Sequence, residues 1–115
     1  MALPNTHYGA PAIERMLRDC QGIFFIGIGG ISMSALSRIT KRQGYRVGGS
    51  DRSTSEVTAA LADEGIEVFT GHSAAHLEGY DAVVYTVAID GENPEYREAI
   101  CRGLPVLSRA DYLGY

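Results

Sequence analysis

The sequence predicts a protein of the α/β class, a three-layer domain in which helices cover both faces of a five-stranded parallel sheet. Strand-like and helix-like segments alternate along the chain with short connections, which is typical of parallel sheets. The first strand, residues 22–28, is continuously apolar rather than alternating, as expected for a strand buried on both faces. Gly44, Gly65 and Gly103 each follow a helix-like segment, at the position where glycine commonly ends a helix.

Apolar and β-branched residues predict the strands, which cover residues 22–28, 45–47 running into 48–51, 66–69, 81–87 and 104–107. Helices are predicted over residues 11–19, 30–43, 53–65 and 93–102, with a helical turn ending at Leu77 and a further helix starting at Ser108. In the helix over 30–43, Ile31, Ala35 and Ile39 recur every fourth residue. Leu36 lies beside them, so this face is predicted to be the apolar face of the helix.

Two helix starts carry capping signals. Ser53 and Glu56 have the spacing of a capping box. Asn93 is a preferred N-cap, Pro94 suits the first helical position, and Glu95 places an acid in the first turn. Because a helix begins close to the last residue, residues 1–115 are expected to form one domain, the N-terminal domain of a longer protein.

Composition excludes several classes of protein. Fourteen acidic and ten basic side chains give a net charge of −4, which argues against non-specific nucleic-acid binding. No apolar run reaches the about 20 residues that span a bilayer, and no secretory signal is visible. Cys20 and Cys101 have no CxxC spacing, so reduced thiols in a cytoplasmic protein, with no metal site, are expected. The single lysine, Lys41, follows Thr40 rather than glycine, which excludes a standard ATP-binding P-loop.

The loop after the first strand reads Gly-Ile-Gly-Gly-Ile-Ser (Gly27–Ser32), close to the GxGxxG fingerprint, with serine in the third glycine position. Its position between a buried strand and a helix makes the predicted domain Rossmann-like. Glycine lets a phosphate approach the main chain, and the first free amides of the helix point at it. Two or three charge-assisted hydrogen bonds of about 1.5–3 kcal/mol each supply much of the roughly −8 kcal/mol of a micromolar affinity. The alternative is that these glycines only allow close packing of strand and helix, and Ser32 weakens a dinucleotide interpretation.

Polar residues follow the second strand. Asp51 stands where such folds carry an acid that binds a ribose hydroxyl, with Ser50 beside it. An aspartate that stabilises its own turn is the open alternative, and Arg52 would instead suit a 2′-phosphate. His72 is a candidate loop donor or a solvent-facing residue, and His76 is expected at the surface.

The end of the fourth strand is expected to face the glycine loop, because ligands of open parallel sheets lie beyond the carboxyl ends of the strands. Thr86 would there donate to a phosphate, or serve as an ordinary strand residue, and Ile89 would pack on a base.

A series of motifs, taken in order, resembles the N-terminal domain of the UDP-N-acetylmuramate–L-alanine ligase (MurC) group of the Mur ligase family over about residues 20–115. The motifs are Phe25–Ser34, Gly49–Asp51, Gly71–His72, Ala88–Ile89, Asn93–Glu95 and Pro105–Ala110. The muropeptide ligase (Mpl) group shares much of the series and stays an alternative. So do an NAD(P)-binding Rossmann module and a stand-alone sensor derived from a ligase domain.

The resemblance implies a cytoplasmic peptidoglycan enzyme of three domains. The first binds the UDP part of UDP-N-acetylmuramate, the second binds ATP and Mg²⁺, and the third helps position the amino acid. The full enzyme would activate the lactyl carboxylate as an acyl phosphate, which the amine of L-alanine attacks. The ATP-binding and C-terminal domains lie outside this chain, so we expect it to bind the UDP-sugar without a cofactor and without ligating.

The resemblance also implies the residues of the UDP-sugar site and no catalytic residue. They are Gly27, Gly29, Gly30, Ile31 and Ser32 for the diphosphate, Ser50, Asp51 and His72 around the nucleotide, and Thr86, Ala88 and Ile89 on the opposite loop. The sequence departs from the family pattern at Ser32, where glycine is usual, and at Thr86–Val87, where a serine pair is common.

Overall fold

A computed structural model describes residues 20–86 and 92–109. Five strands and three α-helices alternate in this part of the chain, together with one short 3₁₀-helix at Ala74–Leu77. The strands are β1 (Gly22–Ile26), β2 (Arg46–Asp51), β3 (Glu67–Thr70), β4 (Ala82–Tyr85) and β5 (Val106–Ser108). The helices are α1 (Ile31–Arg42), α2 (Glu56–Asp63) and α3 (Pro94–Cys101). The predicted helix over 11–19 and most of the one starting at Ser108 lie outside the described residues.

All strand pairs are parallel, in the order β3-β2-β1-β4-β5. The chain adds β2 and β3 on one side of β1 and then crosses to add β4 and β5 on the other. The strand order therefore reverses between β1 and β4, and the carboxyl ends of these two strands flank the crevice where ligands of open α/β sheets bind. This confirms the predicted Rossmann-like α/β class with a five-stranded parallel sheet.

Alternate residues of β1 point into two separate hydrophobic cores. Ile23 and Phe25 pack with residues of α1 and α2 on one face of the sheet. Phe24 and Ile26 pack with Leu77, Tyr96 and other residues of the opposite face. The four β1 side chains are fully buried, which explains why this strand is continuously apolar.

The prediction that Ile31, Ala35 and Ile39 form the buried face of α1 is wrong. Ile31 is 87% exposed and Ile39 is 49% exposed, and Ala35 is exposed as well. The buried face instead carries small hydroxyl residues among its apolar ones: Met33, Ser34, Leu36, Ser37 and Thr40. Serine and threonine are tolerated there because their hydroxyls donate to carbonyls of the same helix, as Ser37 does to Ser34 O at 2.7 Å.

The start of α2 and the ends of β1 also differ from expectation. The N-cap of α2 is Ser55, whose side chain forms a reciprocal capping box with Thr58, and not the predicted pair Ser53 and Glu56. β1 ends at Ile26 rather than residue 28, because Gly27 adopts a left-handed backbone (φ 84°) that turns the chain out of the sheet. Within the described ranges, no helix is long and apolar enough to cross a membrane.

Candidate functional site

The glycine loop is tied to the end of β2 through its own amides. The N–H groups of Gly27 and Ile28 both donate to the carbonyl oxygen of Ser50, at 2.8 and 3.0 Å. A Cβ on Gly27 would lie 2.5 Å from Cγ2 of Thr86, so the loop can pass close to the end of β4 only with glycine there. Thr86 therefore does face the glycine loop, as the sequence predicts, whereas Ala88 and Ile89 lie outside the described residues.

Asp51 binds the glycine loop directly. Its Oδ2 accepts the N–H of Gly29 at 2.9 Å, across 22 residues of sequence. A Cβ on Gly29 would approach that same oxygen to 2.7 Å, which explains why no side chain stands at this position. The ribose-binding role that the sequence suggests for Asp51 stays a prediction beside this contact. In this structure Asp51 holds the loop in place and occupies the amide of Gly29.

The amides that stay open belong to the first turn of α1. Gly30 is the N-cap, with extended backbone (φ −68°, ψ 153°) and no side-chain cap, and its own N–H makes a long contact to Gly27 O at 3.3 Å. Within the described part of the chain, no protein acceptor takes the N–H of Ile31, Ser32 or Met33. These three donors, the positive end of the helix dipole and the exposed side chains of Ile31 and Ser32 give the geometry of an anion site.

A buried carboxylate beside this site links the end of β2, the loop after β3 and the 3₁₀-helix. Glu95, in the first turn of α3, is fully buried. Its Oε1 accepts the Ser50 hydroxyl at 2.6 Å and lies 2.7 Å from His72 Nδ1, while its Oε2 lies 2.6 Å from His76 Nδ1. His72 Nδ1 is also 3.0 Å from Ser50 Oγ. Ser50 and His72, both predicted site residues, are therefore brought together by Glu95, which the sequence analysis assigned to no site.

Glu95 escaped the sequence interpretation because it looked like an ordinary first-turn acid, and because 23 residues separate it from His72. The expectation that His76 lies at the surface is wrong. The His76 side chain is 17% exposed, and its ring stacks on Phe69 with centroids 4.1 Å apart. Two sequence features could have indicated the contact of Glu95 with the histidines: the Asn-Pro-Glu segment and the spacing of four residues between His72 and His76. No group of three or more His, Cys, Asp or Glu residues within residues 20–86 and 92–109 has the geometry to hold a metal ion.

A second polar cluster lies on the sheet near the start of β2. The Tyr80 hydroxyl donates to Glu67 Oε1 at 2.8 Å, and the Arg46 guanidinium lies 4.6 Å from the centre of the Tyr80 ring. Burial of the phenol, helped by the hydrogen bond to Glu67, raises the pKa of Tyr80 above its ordinary value. Close contacts explain two glycines here, because a Cβ on Gly48 would meet the Tyr80 hydroxyl and one on Gly79 would meet Arg46.

The strand order and the open amides behind a glycine loop define the class: a Rossmann-like α/β domain with an anion site at the first crossover. The chain belongs to the Mur ligase family. The protein-family model described as "Mur ligase family, catalytic domain" matches residues 22–115 of this chain.

The relatives of this chain are much longer proteins. The chain is 44% identical over 113 residues to UDP-N-acetylmuramate–L-alanine ligase of Psychrobacter sp., covering 98% of this chain and 23% of the relative. The crystal structure of UDP-N-acetylmuramate-alanine ligase MurC from Thermotoga maritima superposes with a TM-score of 0.77 at 38% identity, covering 80% of this chain and 21% of that one. The UDP-N-acetylmuramate:L-alanyl-gamma-D-glutamyl-meso-diaminopimelate ligase (MPL) from Neisseria meningitides superposes with a TM-score of 0.73 at 30% identity, covering 81% and 30%. The chain thus spans about a fifth to a third of the length of these relatives.

Proposed function

We propose that this chain binds the UDP part of UDP-N-acetylmuramate, as the N-terminal domain of a MurC-type ligase that adds L-alanine to that sugar nucleotide in peptidoglycan biosynthesis. The observation that carries the proposal is the set of three open amides at the start of α1, on Ile31, Ser32 and Met33. A diphosphate is the anion that a row of backbone donors behind a glycine loop suits best. It needs no lysine, which fits a chain of net charge −4 with one lysine.

The relatives support the choice of ligand. The names of the Psychrobacter and Neisseria proteins differ in the amino acid or peptide, yet both contain UDP-N-acetylmuramate. The sugar nucleotide is therefore the part of the reaction that the two groups have in common. The Mpl-type likeness at 30% identity supports a muropeptide ligase as the second candidate, with the same ligand for this domain.

Each described residue of the predicted site has a specific part in this proposal. The diphosphate accepts the N–H groups of Ile31 and Ser32, and Thr86 lies against the loop at Gly27. Asp51 and Ser50 act indirectly, because they hold the glycine loop by accepting the amides of Gly29 and Gly27. Roles for Ala88 and Ile89, as the opposite wall, stay predictions.

The ligation itself is assigned to other domains of the full-length protein. The relatives' names describe ligases, and ATP and Mg²⁺ are implied for such an enzyme as a whole. The sequence of this chain holds no standard ATP-binding P-loop, because its single lysine, Lys41, follows Thr40 rather than glycine. We derive no chemical step from this domain. Its contribution is to bind and orient the UDP-sugar for domains in cis, in the cytoplasm, without nucleic-acid or membrane partners.

Calorimetry on the 115-residue chain tests the proposal, with UDP, UDP-N-acetylmuramate and NADH titrated separately. Heat of binding is expected from the two uridine ligands and none from NADH. Binding of NADH alone would instead favour the NAD(P)-module alternative, and no binding of any of the three would refute a nucleotide site in this domain. Circular dichroism of the same sample checks that the chain is folded.

A further inference from the structure

Glu95 is a buried ionisable group that the proposed diphosphate contacts leave unused. Its side chain has no exposed surface, yet four donors from three other segments surround it. The fourth donor is the amide of Ser73, 3.4 Å from Oε2. A carboxylate without solvent is stable only when its oxygens are paired, so this set of donors is what lets a charged group stay in the interior.

An ionised carboxylate accepts hydrogen bonds and donates none, so it dictates the protonation of the imidazoles beside it. With Nδ1 of both rings facing Glu95 at 2.7 and 2.6 Å, each Nδ1 must carry a proton. In each ring, Nε2 is then the atom left for another partner. It is an acceptor when the ring is neutral, and it becomes a donor when a second proton makes the ring cationic.

The two histidines differ in what surrounds them. His76 lies flat on Phe69 with an interplanar angle of 11°, so its ring belongs to the packed face of the sheet. The His72 side chain, in contrast, is 24% exposed. It touches Ser50, whose carbonyl oxygen accepts the amides of Gly27 and Ile28 in the glycine loop. A single residue therefore links the His72 ring to the loop that forms the anion site.

We propose that Glu95 is a positioning residue of the nucleotide site: it accepts the Nδ1–H of His72 and so fixes the tautomer in which Nε2 accepts a hydrogen bond from a hydroxyl group of the nucleotide. This inference rests on the proposed UDP function and deepens it. Glu95 also clamps the segment from Gly71 to Leu77 to the start of α3, because His76 and the Ser73 amide bind its second oxygen.

Other charges near the cluster do not take over this role. Asp51 at the end of β2 is bound to Gly29, Arg102 donates from Nη1 to the carbonyl of Leu77 at 3.2 Å, and Glu78 is exposed. Within residues 20–86 and 92–109, Glu95 is the one charged side chain with a hydrogen bond to either imidazole.

The test measures UDP affinity for the parent chain, Glu95→Gln and a matched control, Glu98→Gln. The control lies on the same helix, and its side chain has no hydrogen-bond partner among the described residues. A glutamine at 95 keeps the shape but loses the charge, and its amide nitrogen would face one of the two rings. We expect Glu95→Gln to bind UDP about tenfold more weakly than the parent, and Glu98→Gln to match the parent.

A second measurement needs no variant. Long-range proton–nitrogen NMR of the histidine rings reports their tautomers, and at about pH 8 we expect His72 and His76 to carry the proton on Nδ1. A neutral His72 protonated on Nε2 would overturn the inference, whatever happens to the fold of Glu95→Gln. An unchanged UDP affinity in Glu95→Gln would also overturn it, while leaving the proposed UDP function intact. Failure of the parent chain to bind UDP would refute the proposed function and this inference together.

Discussion

The amide of Ile31 offers the sharpest test of the diphosphate site, because a single substitution removes it without touching the core. Proline has no N–H and is well tolerated at the first position of a helix. Ile31 occupies that position in α1, and its side chain is 87% exposed. Gly30 before it already has the extended backbone (φ −68°, ψ 153°) that a residue preceding proline adopts. Ile31→Pro should therefore fold like the parent chain.

The size of the effect follows from the bond that is lost. Ile31, Ser32 and Met33 have the three open amides of the site, so Ile31→Pro removes one donor in three. A hydrogen bond to a charged group contributes about 1.5–3 kcal/mol, which corresponds to a roughly 10- to 100-fold weaker affinity for UDP. The helix dipole is unchanged and contributes only about 0.3–1 kcal/mol, so it cannot compensate for the loss.

Calorimetry with UDP measures the affinity, and thermal unfolding measures stability on the same samples. Glu56→Pro is the matched control, because it places proline at the first position of α2 after an extended Ser55 (φ −150°, ψ 175°). Ile31→Ala keeps the amide and should bind UDP more tightly than Ile31→Pro. Equal affinities for the parent and Ile31→Pro, with both chains folded, would refute the assignment of this amide to the diphosphate.

Two further predictions concern stability. Gly29→Ala should lower the melting temperature by about 4 °C or more, since its Cβ would lie 2.7 Å from Asp51 Oδ2. Gly30→Ala should lower it less, because the nearest atom to its Cβ is 3.7 Å away and only the helix cap is weakened; equal melting temperatures of the two variants would contradict the contact. Tyr80 keeps its proton in the folded state above the pH at which an unfolded tyrosine loses it, because burial raises its pKa. The free energy of unfolding should therefore fall as the pH rises beyond about 10, and urea titrations at about pH 9 and about pH 10.5 should show less of this fall in Tyr80→Phe.

Local signals were sufficient for most of the elements. The continuous apolar segment of β1, and the glycines that follow each helix, predicted five parallel strands in the right order along the chain. Asn93 does cap α3 through its side chain, and Pro94 does begin the helix. These signals are reliable because capping and chain reversal depend on residues only a few positions apart.

The buried face of α1 and the cap of α2 were not predictable in the same way. Hydropathy assigns Ile31 and Ile39 to the core, but a serine or threonine whose hydroxyl is bonded within its own helix can be buried instead. For α2, both Ser53 and Ser55 are suitable caps. The helix is capped by Ser55, whose partner in the capping box, Thr58, lies three residues further along the chain.

The sequence by itself determined the class of fold, the family and the glycine loop, because these follow from short-range patterns and from an ordered series of motifs. Only the tertiary structure decided which amides of that loop are open and which carboxylate organises the histidines. Asp51 and Glu95 meet their partners across about 20 residues of sequence, where a parallel sheet brings the ends of separate strands to one edge. A contact of that kind produces no periodic pattern in the sequence, because its two residues belong to different secondary-structure elements.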